Sequence, residues 1–308
     1  GVLVDLPRIN YDANGQNGSL LLEPSRANLL PYSEYITGWT SKSAVYHTNG
    51  ANATTSPEGV SNGWRITGDG TTGQHYVLQT SSYVSGTSYT CSIYAKADTL
   101  NYVQLIMGAT PFGSTNYCNF DLSDGSIGSQ GGDISNPFAE DMGNGWYRIG
   151  FTCSASSTAS GNFFPTLITS KTSAFFEANS ITGSIFLYGG QVESGSYVSS
   201  YIPCMGTSQT RAADSAITLS VPEAIGQTEG TWFVEYTRNS LIESSYMVLS
   251  NLAGTTAGSY QNGIYLFQIG GINQNFVSDG FVSNVKQFGF SKNGGLSLGK
   301  HKIAIAYK

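Results

Sequence analysis

The sequence carries little charge and lacks any cluster of basic residues. Only 11% of its 308 residues are charged, and 14 Lys and Arg stand against 20 Asp and Glu, giving a net charge of −6. Nucleic acids and anionic membrane surfaces are recognised through grouped Lys and Arg, so nucleic acid is not an expected partner. Apolar runs also fall short of the roughly 18 residues that span a bilayer, and no membrane insertion is expected.

Cysteine is scarce, which limits disulfide and metal chemistry. Cys91, Cys118 and Cys153 each fall in the apolar phase of an alternating segment, and this predicts three small buried thiols. Cys204 lies in a polar loop, so a disulfide remains an alternative. No CxxC pair and no Cys/His spacing indicates a metal site.

Catalytic signatures are also missing. The histidines His47, His75 and His301 have no Ser, Cys or carboxylate signature nearby, so we expect exposed or edge-strand positions for them. Glu140 and Asp141 are adjacent in "NPFAEDMGNG", where neighbouring side chains point in different directions and a solvated turn is favoured. The sequence therefore predicts a protein that is not an enzyme.

Glycine, small polar residues and aromatics are abundant instead. The chain has 38 glycines, and short apolar runs recur between turn residues with no helical period. Alternation is clearest in residues 145–153, as in a strand. One face there has Trp146, Arg148, Gly150 and Thr152, and the other, apolar face has Tyr147, Ile149, Phe151 and Cys153. The clearest strand segments are "GWRITG", "HYVLQTSSYV", "SYTCSIYAKA", "YVQLIMG", "GWYRIGFTCSA" and "GSIFLYGGQVE". The pattern predicts an all-β fold of two jelly-roll-like β-sandwiches.

The division between the sandwiches is expected near residues 203–215. Residues 1–30 read as an N-terminal connector, 31–213 as the first sandwich, and 214–308 as the second, where strands restart with "AITLSV". Arg211 and Asp214 stand at this seam, and we expect them to pair locally as a structural pin. The chain begins on Gly and ends in an alternating strand, so we expect a fragment whose second sandwich is truncated.

Several motifs, in their order and spacing, resemble a known group of proteins. They are "PRINYD", "GSLLLEPSRANLLPYSE", "YTCSIYAKA", "GWYRIGF", "YGGQVESGSYVSSYIP" and "TRAAD". This series is similar to fibre, spike and tail proteins of bacteriophages and prophages over about residues 7–214. It departs from their pattern at Ala27, Cys204 and Met205, none of which is an expected ligand. Residues 215–308 more weakly resemble the front half of a concanavalin-like or laminin-G-like sandwich.

The resemblance implies a carbohydrate-binding-module-like jelly roll on a virion surface. The protein would be made in the bacterial host cytoplasm, assemble with other virion proteins, commonly as a homotrimer, and contact host surface polysaccharide. Carbohydrate-binding jelly rolls often carry a structural calcium where the first and last strands meet, and Glu34 and Glu193 occupy comparable places. The alternative is that these two glutamates are plain surface carboxylates. No other cofactor is expected.

Aromatic side chains near turns are the candidate sugar-binding residues. Sugar rings present C–H faces that pack on aromatic rings, while a few polar groups orient them. The candidates are Trp39, which we expect to be the exposed one, with Tyr76, Tyr83 and Tyr117. Trp64 and Trp146 follow glycine at strand starts and are expected to be buried anchors.

Three functions remain open at the sequence level. The first is a non-enzymatic adhesion module that contacts host glycans, and the second is a structural spacer or collar segment. The third is the binding part of a polysaccharide depolymerase whose catalytic domain lies outside this sequence. Exposed aromatics beside polar groups would favour the first, flat Ser/Thr faces the second, and carboxylates clustered in a groove the third.

Overall fold

The computed structural model describes most of the first two thirds of the chain and the strands of the remainder. The described residues are 9–11, 18–39, 41–48, 54–113, 116–214, 229–238, 246–251, 263–269, 276–282, 285–292, 297 and 299–307. The chain divides into two compact units, Gly1–Ser215 and Ala216–Lys308. This division lies next to the boundary expected from the sequence. The expected strand "AITLSV" lies outside the described residues.

The fold is all-β, as predicted. The strands of the first unit are β1 (Ile9–Asn10), β2 (Ser19–Leu20), β3 (Arg26–Asn28), β4 (Ser41–Ser43), β5 (Val45–Thr48), β6 (Thr54–Thr55), β7 (Ser61–Gly68), β8 (Thr72–Gly73), β9 (His75–Tyr83), β10 (Ser88–Ala97), β11 (Tyr102–Met107), β12 (Tyr117–Asp121), β13 (Ile127–Gly131), β14 (Ile134–Asp141), β15 (Trp146–Ser154), β16 (Ala159–Leu167), β17 (Asn179–Ser180), β18 (Ser184–Ser194) and β19 (Gln209–Arg211). Its described helical segments are a 3₁₀ turn, Ile36–Gly38, and the four-residue α1, Ala109–Phe112, which is kinked at Thr110, where φ and ψ are not helical. The strands of the second unit are β20 (Gly230–Arg238), β21 (Tyr246–Asn251), β22 (Gly263–Ile269), β23 (Phe276–Val282), β24 (Val285–Lys292) and β25 (Gly299–Tyr307).

Two antiparallel sheets form the jelly-roll-like sandwich of the first unit. The seven-stranded sheet has the order β14-β15-β10-β18-β7-β5, with β6 paired to β7, and the six-stranded sheet has the order β13-β12-β11-β16-β9-β4. Short pairs join β1 with β2, β8 with β17, and β3 with β19. In the second unit β20 pairs with β25, and β21-β22-β23-β24 form a separate antiparallel sheet.

The core lies between the two large sheets, and period-two alternation explains which residues fill it. Buried core residues from both sheets include Cys91, Ile93, Val103, Leu105, Phe120, Ile149, Phe151 and Phe163. The expected inward positions Ile149, Phe151 and Cys153 of β15 are confirmed. Trp64 and Trp146 are buried as predicted, and their indole N–H groups donate to the backbone oxygens of Glu34 and Thr55.

The cysteines are buried and free. The prediction of buried thiols is confirmed for Cys91, Cys118 and Cys153, and Cys204 is buried as well. Burial raises the pKa of the Cys118 and Cys153 thiols to about 12. These thiols therefore stay protonated and unreactive at neutral pH while the sandwich is folded.

The histidines differ in their surroundings. His47 lies on β5, which is an edge strand of its sheet, as expected. His301 is partly exposed on β25. The expectation for His75 is wrong, because this side chain is fully buried on β9, inside its sheet, between carbonyl groups of two other segments.

Candidate functional site

The outer face of the six-stranded sheet carries two neighbouring rows of side chains. Strand register aligns Asn119, Gln104, Thr166 and Tyr76 in one row and Tyr117, Ile106 and Phe164 in the next. These positions alternate with core residues such as Val103 and Leu105, so they point away from the core. The rows place aromatic rings beside amide and hydroxyl groups on one surface.

The loop between β16 and β17, residues 168–178, adds two phenylalanines to this surface. We call Tyr76, Tyr117, Phe164, Phe175 and Phe176 the aromatic cluster. Its ring centroids lie 5.4 Å apart for Tyr117–Phe175, 5.8 Å for Phe175–Phe176, 5.3 Å for Phe176–Tyr76 and 5.3 Å for Tyr76–Phe164. The rings therefore form a continuous string across the sheet and loop. Tilted and edge-to-face contacts of this kind are favourable aromatic geometries.

Two buried amides hold the β16–β17 loop in place. Gln104 accepts a hydrogen bond from the Phe176 N–H at 2.8 Å and donates to the Ala174 carbonyl and to Asn119 Oδ1. Asn119 donates in turn to the carbonyls of Lys171 and Ser173. Gln104 and Asn119 are fully buried, so their bonds are made away from water and fix the loop backbone strongly.

Phe176 adopts a backbone conformation that aromatic residues seldom take. Its φ is +54°, in the left-handed region where a Cβ is crowded and glycine is preferred. The Gln104 side chain holds its N–H, and the Gln74 amide donates to its carbonyl at 3.4 Å. Strain of this kind persists only where surrounding contacts determine the backbone, and here it sets the direction of the Phe176 ring.

A glycine lets the loop reach the edge of the sheet. A Cβ at Gly128 on β13 would lie 2.0 Å from the Lys171 carbonyl oxygen, so any larger residue would push the loop away. The same oxygen accepts from the Ser129 N–H at 2.8 Å. The Lys171 ammonium donates to Ser126 Oγ and lies 3.9 Å from Asp121. The loop is thus fastened at its start as well as at Phe176.

The aromatic cluster is partly open to solvent. Phe175 is 37% exposed, and the other four rings are half-buried. Asn162 and Thr80, hydrogen-bonded to each other at 2.6 Å, lie on the same face one step beyond Phe164. Accessible ring surface with nearby hydroxyl and amide groups can pack against sugar C–H groups and orient hydroxyls.

Glu177 ties the far end of the loop, and this tie depends on pH. Partial burial would raise its pKa, but hydrogen bonds from Ser173, Thr169 and Asn179 outweigh that and hold the pKa below its usual value. A carboxylate with a lowered folded-state pKa stabilises the fold above its unfolded pKa, and this contribution is lost as pH falls through the folded value.

We therefore expect Glu177→Gln to narrow the difference in stability between neutral and acidic solution. Urea unfolding from about pH 7 to about pH 3, across the carboxyl range, measures this difference. Glu140→Gln, at an exposed position, is the matched control and should leave the acid dependence as in the wild type. An unchanged acid dependence in Glu177→Gln would contradict the assignment.

The sequence-predicted aromatic residues separate into two groups. Tyr76 and Tyr117 belong to the aromatic cluster. The expected exposure of Trp39 is wrong, because it is 3% exposed and packs in the core 6.3 Å from Phe163. Tyr83 is also in the core, 1% exposed between Tyr89 and Phe112, and burial raises the pKa of its phenol. Neither Trp39 nor Tyr83 has a ring face open to a sugar.

The structure gives Glu193 protein partners in place of a metal. It is fully buried, and its carboxylate accepts from Gln191 Nε2 and from the Ser199 N–H and hydroxyl, while Arg26 Nε lies 3.6 Å away. Glu34 instead accepts from the Tyr201 hydroxyl at 3.1 Å. Among the described residues no group of three or more His, Cys, Asp or Glu is placed to hold a metal ion. Donors and a guanidinium around Glu193 repel a cation, so the calcium interpretation of this pair is not supported.

The seam residues bind a common partner rather than each other. Arg211 forms an ion pair with Glu23 at 3.1 Å and also donates to the Ser200 carbonyl. Asp214 donates its N–H to the Glu23 carbonyl and accepts the Glu23 N–H on its carboxylate, both at 2.9 Å. The expected local pair is therefore wrong, while both residues do close the end of the first unit onto the connector. Glu23 is the partner that the sequence pattern did not reveal.

Phe164, Phe175 and Phe176 were not identified from the sequence. The feature of the sequence that could have identified Phe175 and Phe176 is their adjacency in the otherwise polar stretch "TSKTSAFFEANS". Adjacent aromatic residues in a polar loop cannot both be explained by burial in a strand core, so they indicate a separate role. Phe164 sits at an outward position of a strand whose alternation places Phe163 in the core.

A concave feature lies on the seven-stranded sheet, away from the aromatic cluster. It is a cavity of about 280 Å³ lined by Thr54, Thr55, Ser56, Pro57, Gly59, Lys96, Met142, Gly143, Asn144 and Trp146. Trp146 is only 1% exposed, so it offers no open ring face there. The aromatic cluster is the better candidate for ring stacking.

No family model matches this sequence, and no curated protein does so significantly. Among the described residues no helix is long and apolar enough to cross a membrane. The functional interpretation therefore depends on the geometry of the aromatic cluster.

Proposed function

We propose that this chain is a non-enzymatic adhesion module of a bacteriophage virion, and that its first unit contacts neutral or weakly charged glycans of the host surface. The observation that carries the proposal is the aromatic cluster, in which five rings form a string on one sheet face. The resemblance of residues 7–214 to phage fibre, spike and tail proteins supports the virion setting.

The construction of the cluster favours a binding role over a purely structural one. Gln104, Asn119 and the strained Phe176 fix a loop in which Phe175 is 37% exposed. A purely structural spacer has no use for a partly exposed aromatic ring on a braced loop. Binding does gain, because a loop ordered before the ligand arrives loses less conformational entropy on association.

Single sugar–ring contacts are weak, so we propose that the protein acts as a homotrimer with other virion proteins. Linking sites raises avidity by orders of magnitude when the geometry allows simultaneous contact. Phage fibres resembling this sequence are commonly trimeric.

Phe175→Ala tests the proposal directly. We expect it to weaken glycan binding by about twofold to tenfold per site, the range for loss of one aromatic contact. The free energy of unfolding should change by less than about 1 kcal/mol, because Phe175 is a partly exposed loop residue. Retention of the biotinylated full chain, multimerised on streptavidin, on arrays of neutral bacterial polysaccharides measures the loss.

The matched control is Tyr46→Ala. Tyr46 is 64% exposed on edge strand β5 of the other sheet, so its removal should leave glycan retention unchanged. Equal loss in both variants would point to non-specific stickiness. If the multimerised wild type retains no polysaccharide and binds no host cells, the spacer interpretation replaces the proposed one.

A further inference from the structure

His75 is a fully buried side chain whose two ring nitrogens both face carbonyl oxygens. Nδ1 lies 2.6 Å from the Ala44 oxygen and Nε2 lies 2.9 Å from the Asn179 oxygen. A carbonyl oxygen only accepts hydrogen bonds, and a neutral imidazole has one N–H. Only the doubly protonated ring can donate to both carbonyls.

The two carbonyls belong to segments that meet at the site. Ala44 joins β4 of the six-stranded sheet to β5 of the seven-stranded sheet. Asn179 begins β17 directly after the β16–β17 loop, and its side chain is hydrogen-bonded to Glu177. His75 itself immediately precedes Tyr76 of the aromatic cluster. His75 therefore contacts the link between the two sheets at Ala44 and the end of the β16–β17 loop at Asn179, and it is next to Tyr76 of the aromatic cluster.

Asp69 and Glu177 are the carboxylates on this side of His75. Asp69 donates its N–H to the same Ala44 oxygen at 3.0 Å. Hydrogen bonds from Thr71 chiefly lower the pKa of the Asp69 carboxyl, and the charge on His75 lowers it further. Glu177, reached through Asn179, is the second carboxylate on this side.

We propose that His75 is a pH-sensitive positioning residue of the aromatic cluster, bracing the β16–β17 loop when doubly protonated and releasing one side when neutral. In the neutral ring we expect Nδ1 to keep its proton, because its contact with the Ala44 oxygen is the shorter one. Nε2 then has no proton to donate, and the hydrogen bond to the Asn179 oxygen is lost. The inference deepens the proposed function by adding regulation of the same site: glycan contact is strongest in mildly acidic solution and weakens as pH rises.

Nuclear magnetic resonance of the full chain with ¹⁵N-labelled histidine tests the protonation directly. Assignment is simple because the chain has 3 histidines. At about pH 5 and about pH 8, the ends of the histidine range, two-bond ¹H–¹⁵N spectra show whether each ring nitrogen carries a proton. We expect both His75 nitrogens to be protonated at the lower pH and one at the higher. A singly protonated ring at the lower pH overturns the proposal.

Amide exchange of Phe176 and the β17 residues tests the coupling to the loop. After correction for the intrinsic pH dependence of exchange, protection should fall about twofold to tenfold between the two pH values, the effect of losing one hydrogen bond. His75→Gln, whose amide has one donor nitrogen and does not titrate, should abolish this change, and His47→Gln should preserve it. Unchanged protection in the wild type overturns the coupling even if His75 titrates.

Neither readout involves a sugar, so failures can be told apart. If the histidine spectra and the amide exchange agree with the expectation while no polysaccharide binds at either pH, the positioning role of His75 is supported and the proposed glycan-binding function is ruled out. If polysaccharide binds with equal affinity at both pH values, regulation by His75 is ruled out and the glycan site stands.

Discussion

Gln104→Leu is expected to lower the free energy of unfolding by about 2–4 kcal/mol and to release the aromatic loop. The substitution nearly preserves side-chain volume but removes the acceptor for the Phe176 N–H and the donors to Ala174 and Asn119. Each buried polar group left without a partner costs about 1–3 kcal/mol, reduced where water can enter. The Phe176 N–H then loses the acceptor that holds the residue in its left-handed conformation, so we expect the backbone to relax and the ring to leave the cluster.

Urea unfolding and glycan retention measure the two consequences of Gln104→Leu separately. Gln130→Leu is the control, because Gln130 is exposed on the neighbouring edge strand β13, and its change in stability should stay within about 0.5 kcal/mol. A Gln104→Leu variant with wild-type stability and wild-type exchange at Phe176 would show that the buried amides do not organise the loop.

Asn28→Ala is expected to have the larger effect on stability, about 3–5 kcal/mol. The Asn28 amide is fully buried and makes four hydrogen bonds: it donates to the Gly190 and Ile202 carbonyls and accepts from the Leu30 and Val192 N–H groups. Alanine leaves all four backbone groups without a side-chain partner in the place where the connector meets the sandwich. Many core deletions cost no more than this.

The control variant for Asn28→Ala is Asn101→Ala, because Asn101 is exposed just before β11. Thermal and urea unfolding should show a small change for Asn101 and a large one for Asn28. Because three of the four contacts of Asn28 join residues far apart in sequence, the variant should also expose "SRANLL" to limited proteolysis. Resistance to protease equal to the wild type would contradict the role of Asn28 as an anchor.

The strands could be predicted because their signal is local. In β15, alternation alone assigns Ile149, Phe151 and Cys153 to the core, and glycine before Trp146 marks the start of the strand. The same expectation is wrong for Trp64, which is the fourth residue of β7. Burial in loops is less visible. Trp39 follows a 3₁₀ turn that folds it inward, and Gly190, whose Cβ would lie 3.2 Å from the indole, makes room for it.

The site depends on long-range contacts, which explains why the sequence revealed only part of it. Tyr76 and Tyr117 stand out as aromatics near polar turns, but their partner Phe176 is placed by Gln104, far away in the chain. Glu193 illustrates the same limit. Its buried position beside Arg26 follows from the pairing of the connector with the sandwich, whereas the sequence suggested a surface carboxylate.

The closure at Glu23 determines how the first unit would respond to a pulling force. Glu23 is hydrogen-bonded to Asp214, and β3 pairs with β19 just beyond them. The two ends of residues 24–213 are therefore held side by side, and the rest of that segment forms a closed loop between them. Tension applied at residues 22 and 215 would reach Glu23–Asp214 and the Arg211 ion pair first and then separate β3 from β19 one bond at a time. The two large sheets would bear no force until these contacts and the β3–β19 pairing had broken.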